Sequence, residues 1–511
     1  MNKYIKSIEY LRLDERSVAI FRIVLGISIL YSLIILKLPY TVEFWGEHTI
    51  IPINILQKAN GIGSWSIFDY VRNDGFAYFW MSVSIVLAVL FTIGWQTKIV
   101  SFLLLFFFFN ILQAYTRYNT GFDKYTFQLL TWACFLPLSN FFSIKNNTQK
   151  IKTPLWVSVI VIVQIAMVYF ITGLAKTGDA WKNGYAVQVL TSDLWMRYTT
   201  AEIFRDNAWL YMPLTYATLL LDYLFPFFLF IKFKNNVLRY FAIIYLLGFH
   251  ISIFSLVDVA NFSITGVAAA MIIIPSSFWE KLKIQQGFKF YSTIKSNSQK
   301  MMIYGFTIFV LYTIVQKNLL FYTRLDVYKT KHESIAYKFF NAINIPTVVQ
   351  NSFQFQYWKM YAPSPASEGG WLSIEYKGED GFLYDYFTKG LLSNTEHKIS
   401  FRPKGMEAFL LFNGRSFKYE DRWYSAIFMR YWLSYQLKKN KIPVSSYNNY
   451  YLAVYSLDVS QQDADLSQVH KEIIPLDVLE TFVKPYEQNL LKKTMKKPTN
   501  KNYYGLFFSN K

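Results

Sequence analysis

Nine stretches of the chain are apolar almost without interruption: roughly 17–36, 77–96, 99–115, 125–142, 154–175, 209–231, 238–257, 261–279 and 302–322. A helix of about 20 such residues crosses the hydrocarbon core of a bilayer. A helix lying against water would show a polar face recurring every 3.6 residues. Segments such as Ile99-Val-Ser-Phe-Leu-Leu-Leu-Phe-Phe-Phe-Phe-Asn110 show none. The pattern predicts a polytopic α-helical membrane protein of about nine spans. The fourth stretch fits least well, because Pro137 and Asn140 interrupt it. From about residue 324 the pattern changes to short alternating runs. Phe353-Gln-Phe-Gln-Tyr357, Trp371-Leu-Ser-Ile-Glu-Tyr376 and Leu452-Ala-Val-Tyr-Ser-Leu457 read as strands, and 420–440 as an amphipathic helix. Pro363-Ser-Pro365, Gly369-Gly370 and Gly378-Glu-Asp-Gly381 read as turns. This divides the chain into a transmembrane domain, 1–323, and a β-rich domain, 324–511.

Composition agrees with a bilayer setting. Of 511 residues 53% are hydrophobic, 20% aromatic and only 17% charged, against about 25% charged in soluble domains. The net charge of +19 has a bland explanation: Lys and Arg collect in cytoplasmic loops. No nucleic-acid partner is expected. One set of alternate loops is strongly basic, with Lys98, Lys145, Lys150, Lys152, Lys232, Lys234, Lys281, Lys283, Lys289 and Lys295. The other mixes signs, with Glu43, Glu47, Asp74, Asp123, Asp179 and Asp206 among its acids. The N-terminus is therefore expected in the cytoplasm, and the C-terminal domain outside or in a periplasm. The first run is long and lacks a small-residue cleavage site, so it reads as a retained span rather than a cleaved leader. The single cysteine, Cys134, excludes a disulfide framework. The five histidines show no ligand spacing, so no metal is expected.

Ionisable groups at membrane depth are costly, so each is a functional candidate. Arg22, Asp222 and His250 stand within apolar runs. For Arg22 the structural alternative is pairing with a buried acid or a carbonyl; for His250 it is a hydrogen-bonded packing role. The sharpest feature is Val168-Tyr-Phe-Ile-Thr-Gly-Leu-Ala-Lys-Thr-Gly-Asp-Ala-Trp-Lys-Asn-Gly184. Here an apolar helix carrying Tyr169 runs into Lys176, then Asp179 and Trp181. Lys176 is either a snorkelling side chain beside an interfacial Trp or a partly desolvated amine able to act as a base. The polar stretch Tyr115-Thr-Arg-Tyr-Asn-Thr-Gly-Phe-Asp-Lys-Tyr125 lies on the same side. It brings Arg117, Asn119 and Asp123 as candidates to line an interhelical pocket with Lys176.

These residues resemble the HTTM family, whose best-known member is the vitamin K-dependent γ-glutamyl carboxylase. The likeness rests on Gly173, Lys176 and Trp181, and on Leu219-Leu-Leu-Asp222. It continues from His250 through Asn261-Phe-Ser263 to Pro275-Ser-Ser-Phe-Trp-Glu-Lys-Leu282. It includes Trp358-Lys-Met-Tyr-Ala-Pro-Ser-Pro365, Gly370-Trp371 and Asp380-Gly381. The resemblance implies that Lys176 deprotonates a reduced quinone, the quinone cofactor being menaquinol or vitamin K hydroquinone-like. It also implies that the oxygenated product drives carboxylation of an exported polypeptide. The Lys-, Asn- and Ile-rich composition points to a low-GC bacterium and its plasma membrane, where menaquinone is the expected quinone. One departure stands out. The family carries an Asn-His pair in the third-to-fourth connection, where this chain has Phe122-Asp123; an ionised acid cannot donate a hydrogen bond as a His can. Enzymatic modification of an exported polypeptide or another substrate at the outer face is therefore one expectation. A non-catalytic membrane maturation or export factor for a secreted protein is the other. A transporter fits less well, since few spans carry charge.

Overall fold

The computed structural model describes residues 9–60, 65–115, 119–144, 150–192, 199–257, 261–284, 301–314, 368–392, 423–458 and 470–476, with isolated positions at 259, 290, 291, 299, 335, 338, 361, 365 and 484. Its N-terminal part is a helical bundle. The main helices are α1 (Glu15–Tyr31), α2 (Asp74–Ile93), α3 (Thr97–Gln113), α4 (Gly121–Ala133), α5 (Leu155–Ala175), α6 (Ala208–Phe230), α7 (Val237–Leu256), α8 (Phe262–Ile272) and α9 (Met301–Ile314). Among the described residues five segments are long and apolar enough to cross a bilayer: Glu9–Trp45, Asp74–Ile93, Leu155–Ala175, Ala208–Phe230 and Val237–Leu256. This is a multi-pass membrane protein. Helices α3, α8 and α9 are apolar but shorter; beyond Ile314 the last predicted run lies outside the described residues.

The fourth predicted run, 125–142, is a helix only to Ala133. Pro137 has no N–H for the Ala133 carbonyl and its ring would clash there, which ends the helix, and Arg22 holds the chain that follows. Its buried guanidinium donates to the backbone carbonyls of Leu138, at 2.6 Å, of Phe141 and of Phe142. These carbonyls lie in irregular chain with no helical partners, and an unpaired buried carbonyl is costly. Arg22 thus takes the structural alternative, pairing with carbonyls. Helix boundaries elsewhere follow local chemistry. Asn73 caps α2 by accepting from the Phe76 N–H, and Gly94 closes it at a φ of 82°. Thr120 and Asp123 form a reciprocal capping box that starts α4.

Helix α1 is central and packs against α2, α4 and α8; α5 packs on α6, α6 on α7 and α7 on α8. Beyond Tyr31, α1 continues as a π-helical turn, Ser32–Lys37. Short helices lie in the connections, including Thr41–Trp45, Asp179–Lys182 and Ala186–Ser192.

The C-terminal part holds a four-stranded antiparallel sheet of β1 (Glu368–Lys377), β2 (Leu383–Asp385), β3 (Tyr450–Asp458) and β4 (His470–Pro475), in the order β2-β1-β3-β4. A helix, α10 (Trp423–Lys439), accompanies it. The predicted strands at 371–376 and 452–457 and the helix at 420–440 are present. The predicted turn at Gly369-Gly370 is not: both glycines lie inside β1, paired with Leu457 and Ser456. The long register with β3 keeps the backbone extended through them. The predicted strand at 353–357 lies outside the described residues. Gly378 and Gly381 do turn the chain, Gly381 at a φ of 84°.

Candidate functional site

Helix α5 ends at Ala175, and Lys176 follows as its C-cap. The side chain does not snorkel to water. It is 4% exposed, and its Nζ lies 2.6 Å from Asp222 Oδ2 on α6. Asp222 Oδ1 accepts from the Tyr245 hydroxyl on α7 at 2.5 Å. At about 1.5 Å per residue, Asp222 stands about 21 Å along α6 from Ala208 and about 12 Å from Phe230. Tyr245 stands about 12 Å from the start of α7 and about 17 Å from its end. The amine is therefore level with the middle of two apolar helices. Taking either charge there alone would cost several kcal/mol; pairing offsets the penalty only because Asp222 is hydrogen-bonded on both oxygens. Gly173 permits the approach, since a Cβ there would lie 2.9 Å from the Asp222 Cβ. The Trp181 ring completes the arrangement, with its centroid 4.3 Å from Lys176 Nζ.

Lys176, Trp181 and Tyr245 form the polar end of a cavity of about 340 Å³. Its other walls are apolar and come from Ala186–Ser192 and from α6 and α7, with Leu190, Leu221, Phe249 and Val257 among them. Trp181 Nε1 donates to the Tyr361 backbone carbonyl at 2.8 Å, and Tyr361 also lines the cavity. Lys176 and Tyr245 face the space, and Asp222 stands behind them and accepts from both. A lysine ammonium can only donate hydrogen bonds. When its proton rests on Asp222, 2.6 Å away, the free amine can accept one from a molecule in the cavity.

His250 belongs to a neighbouring cluster. Its Nε2 is 2.6 Å from the Tyr169 hydroxyl, and the ring is fully buried against Phe262 and over Gly266. A Cβ at Gly266 would lie 1.9 Å from Nε2, so only glycine leaves room for the ring. Tyr169 in turn packs against Phe225 and Tyr245, with ring centroids 4.9 and 6.1 Å away. The structure thus gathers Lys176, Trp181, Asp222, Tyr169 and His250 in one region between α5, α6, α7 and α8. It does not add Asp123 or Asn119 to the cavity lining. Asp123 Oδ1 accepts from Lys37 Nζ at 2.7 Å, Oδ2 is held by Thr120, and Lys37 also reaches Ser32 at 2.8 Å. Asn119 donates to the Leu112 carbonyl at 2.7 Å. Asp179 is exposed at the start of its short helix. Arg117 lies outside the described residues.

Three contributors were not anticipated. Tyr245 sits among apolar neighbours and reads as one more core aromatic. Lys37 ends the first apolar run and reads as a snorkelling cation. Tyr361 contributes a backbone carbonyl, which no residue type announces, although it stands within the Trp358–Pro365 motif.

Comparison with known protein families matches the HTTM domain over residues 10–279, just over half of the chain. This domain is found in vitamin K-dependent carboxylase-like proteins. No curated protein and no solved structure matches the chain.

Proposed function

The chain belongs to the HTTM domain family, and from that premise we propose that it is a carboxylase-like membrane enzyme in which Lys176 takes a proton from a membrane quinol. The observation that carries this reading is the buried Lys176–Asp222 pair at the polar end of an apolar cavity. Small-molecule sites are mostly apolar, with a few converging polar groups. A flat aromatic head with hydroxyl groups fits such a space, with Trp181 beside it and Lys176 and Tyr245 within reach of an oxygen. A bound quinol would supply the acidic hydroxyl and, with dioxygen, the driving force for modifying a second substrate. With its own proton lodged on Asp222, Lys176 receives the quinol's proton, the resulting ammonium pairs with the oxyanion left on the ligand, and Tyr245 keeps Asp222 turned toward the amine. The apolar walls exclude water, which strengthens each of these interactions.

In this reading the described helices belong to a nine-span bundle in a bacterial plasma membrane. The basic loops face the cytoplasm, and the end that bears Trp181 and Tyr361 faces outward, toward an exported polypeptide or another substrate. Glu43 supports a shared face, since its carboxylate accepts from Tyr435 at 2.9 Å and pairs with Lys439 at 3.2 Å on α10. The test is quinol oxidation by the purified protein in lipid, wild type against Lys176→Ala. Turnover lost in the variant supports the reading, and turnover equal in both, or absent from both, removes it.

A second reading, a non-catalytic maturation factor for a secreted protein, draws on Asp123. Both of its oxygens are committed, to Lys37 and Thr120, so no proton donor occupies that position. A stoichiometric protein partner retained by Lys176→Ala would favour it.

A further inference from the structure

The cavity has Lys176, Trp181 and Tyr361 in its lining and an exposed flank on α6 and α7. Trp181 and the Tyr361 carbonyl bond across one end. Along the flank the lining residues Leu214 and Ala217 on α6, and Ile244, Gly248 and Ser252 on α7, are exposed at the bundle surface. A Cβ at Gly248 would meet no atom within 4 Å. This slot lies on helices long and apolar enough to span a bilayer, and a bilayer around them would set lipid against it.

From this we infer that Gly248 is a specificity-determining residue: it leaves a side opening between α6 and α7 through which the apolar chain of the bound ligand passes into the bilayer. The cavity volume of about 340 Å³ is near the low end for small-molecule sites, which run from about 300 to 1,000 Å³. It holds a compact head group, not a head and a long chain together. The ligand class is an amphiphile whose oxygen-bearing head meets Lys176 and Tyr245 and whose hydrocarbon chain leaves beside Gly248. The choice of head rests on the quinol reading; the opening does not.

The test uses the full chain in phosphatidylcholine nanodiscs with two probes, chainless menadione and polyprenylated menaquinone-4, and reads equilibrium binding. Gly248→Leu puts an apolar side chain at the slot, its Cβ meeting no atom within 4 Å. It should weaken menaquinone-4 by about tenfold or more and menadione by less than about twofold. Gly305→Leu, whose Cβ also meets nothing within 4 Å but which lies outside the cavity, should change neither. Equal losses for both probes, or no loss for either, overturn the inference. If wild type binds neither quinone, the quinol reading fails and a photoactivatable long-chain alcohol decides the opening. Labelling around Gly248 in wild type but not in Gly248→Leu upholds it, and no labelling there in wild type overturns it.

Discussion

Lys176 Nζ and Asp222 Oδ2 stand 2.6 Å apart, both buried, where the C-cap of α5 meets the interior of α6. Neither charge is tolerable there alone, and the pairing converts two costly groups into one polar anchor that can exchange a proton internally. Removing one partner strands the other, a loss of about 3–5 kcal/mol. Lys176→Met and Asp222→Leu should each lower the thermal unfolding temperature sharply in detergent. The double variant should recover most of that loss while remaining inactive. A double variant as unstable as the sum of the singles would contradict the pairing.

Tyr245→Phe keeps the ring and removes one bond to a charged acceptor. The expected stability cost is about 1.5–3 kcal/mol, read by chemical or thermal unfolding. Ligand affinity should fall modestly with the lost head-group contact, and quinol turnover should fall further, because Asp222 is freed to turn from Lys176. Unchanged turnover would show that the hydroxyl has no positioning role.

Gly266→Ala forces the His250 ring from its place, since the added carbon would sit 1.9 Å from Nε2. Overpacking of this kind costs about 1–3 kcal/mol. Combined with His250→Ala the clash disappears, so a double-mutant cycle should show strong non-additivity. Additive losses would mean that the ring and the glycine do not meet.

The Lys37–Asp123 pair, buried at 2.7 Å, should be as sensitive as the Lys176 pair, with a loss of about 3–5 kcal/mol when one partner is removed. Neither residue lines the cavity. Stabilised Asp123→Asn protein, rescued by lipid or low temperature, should therefore bind a cavity ligand as wild type does. A large loss of affinity there would place Asp123 in the site.

In the C-terminal domain, burial pushes the Tyr386 phenol up to about 12, and a neighbouring Tyr450 anion adds to the shift. Its hydroxyl donates to the Gln436 carbonyl at 3.1 Å, joining the sheet edge to α10. A group raised above its unfolded value of about 10 stabilises the fold fully below that pH. The contribution is lost as pH rises through about 12. Ultraviolet titration of Tyr386→Phe should show one fewer late-ionising tyrosine than wild type, with the domain loosening over the same window.

The apolar helices were legible because a segment surrounded by lipid carries no polar face, and that absence is visible in sequence. The fourth run was legible as the weakest, because Pro137 interrupts it; that Arg22, more than a hundred positions away, holds the chain beyond it was not. Lys176 and Asp222 were each legible as candidates, but their meeting was not. They are 46 positions apart, and the depth at which α6 sits beside α5 depends on how the short helices between them pack. The same reasoning covers Asp123. Its role in capping α4 is written in Thr120-Gly-Phe-Asp123, but its partner Lys37 comes from a π-helical turn that no local pattern announced. Gly369-Gly370 read as a turn because glycine so often makes one, and the β3 register overrode that preference.

The central claim is that Lys176 takes a proton from a ligand held in the cavity. Its most direct test is the absorbance spectrum of a naphthoquinol titrated anaerobically, near neutral pH, into wild type and into Lys176→Met protein stabilised by Asp222→Leu. The spectrum of the ionised ligand should appear in wild type, saturate at one equivalent, and be missing in the variant. A ligand that stays neutral in both, or ionises equally in both, would contradict the claim.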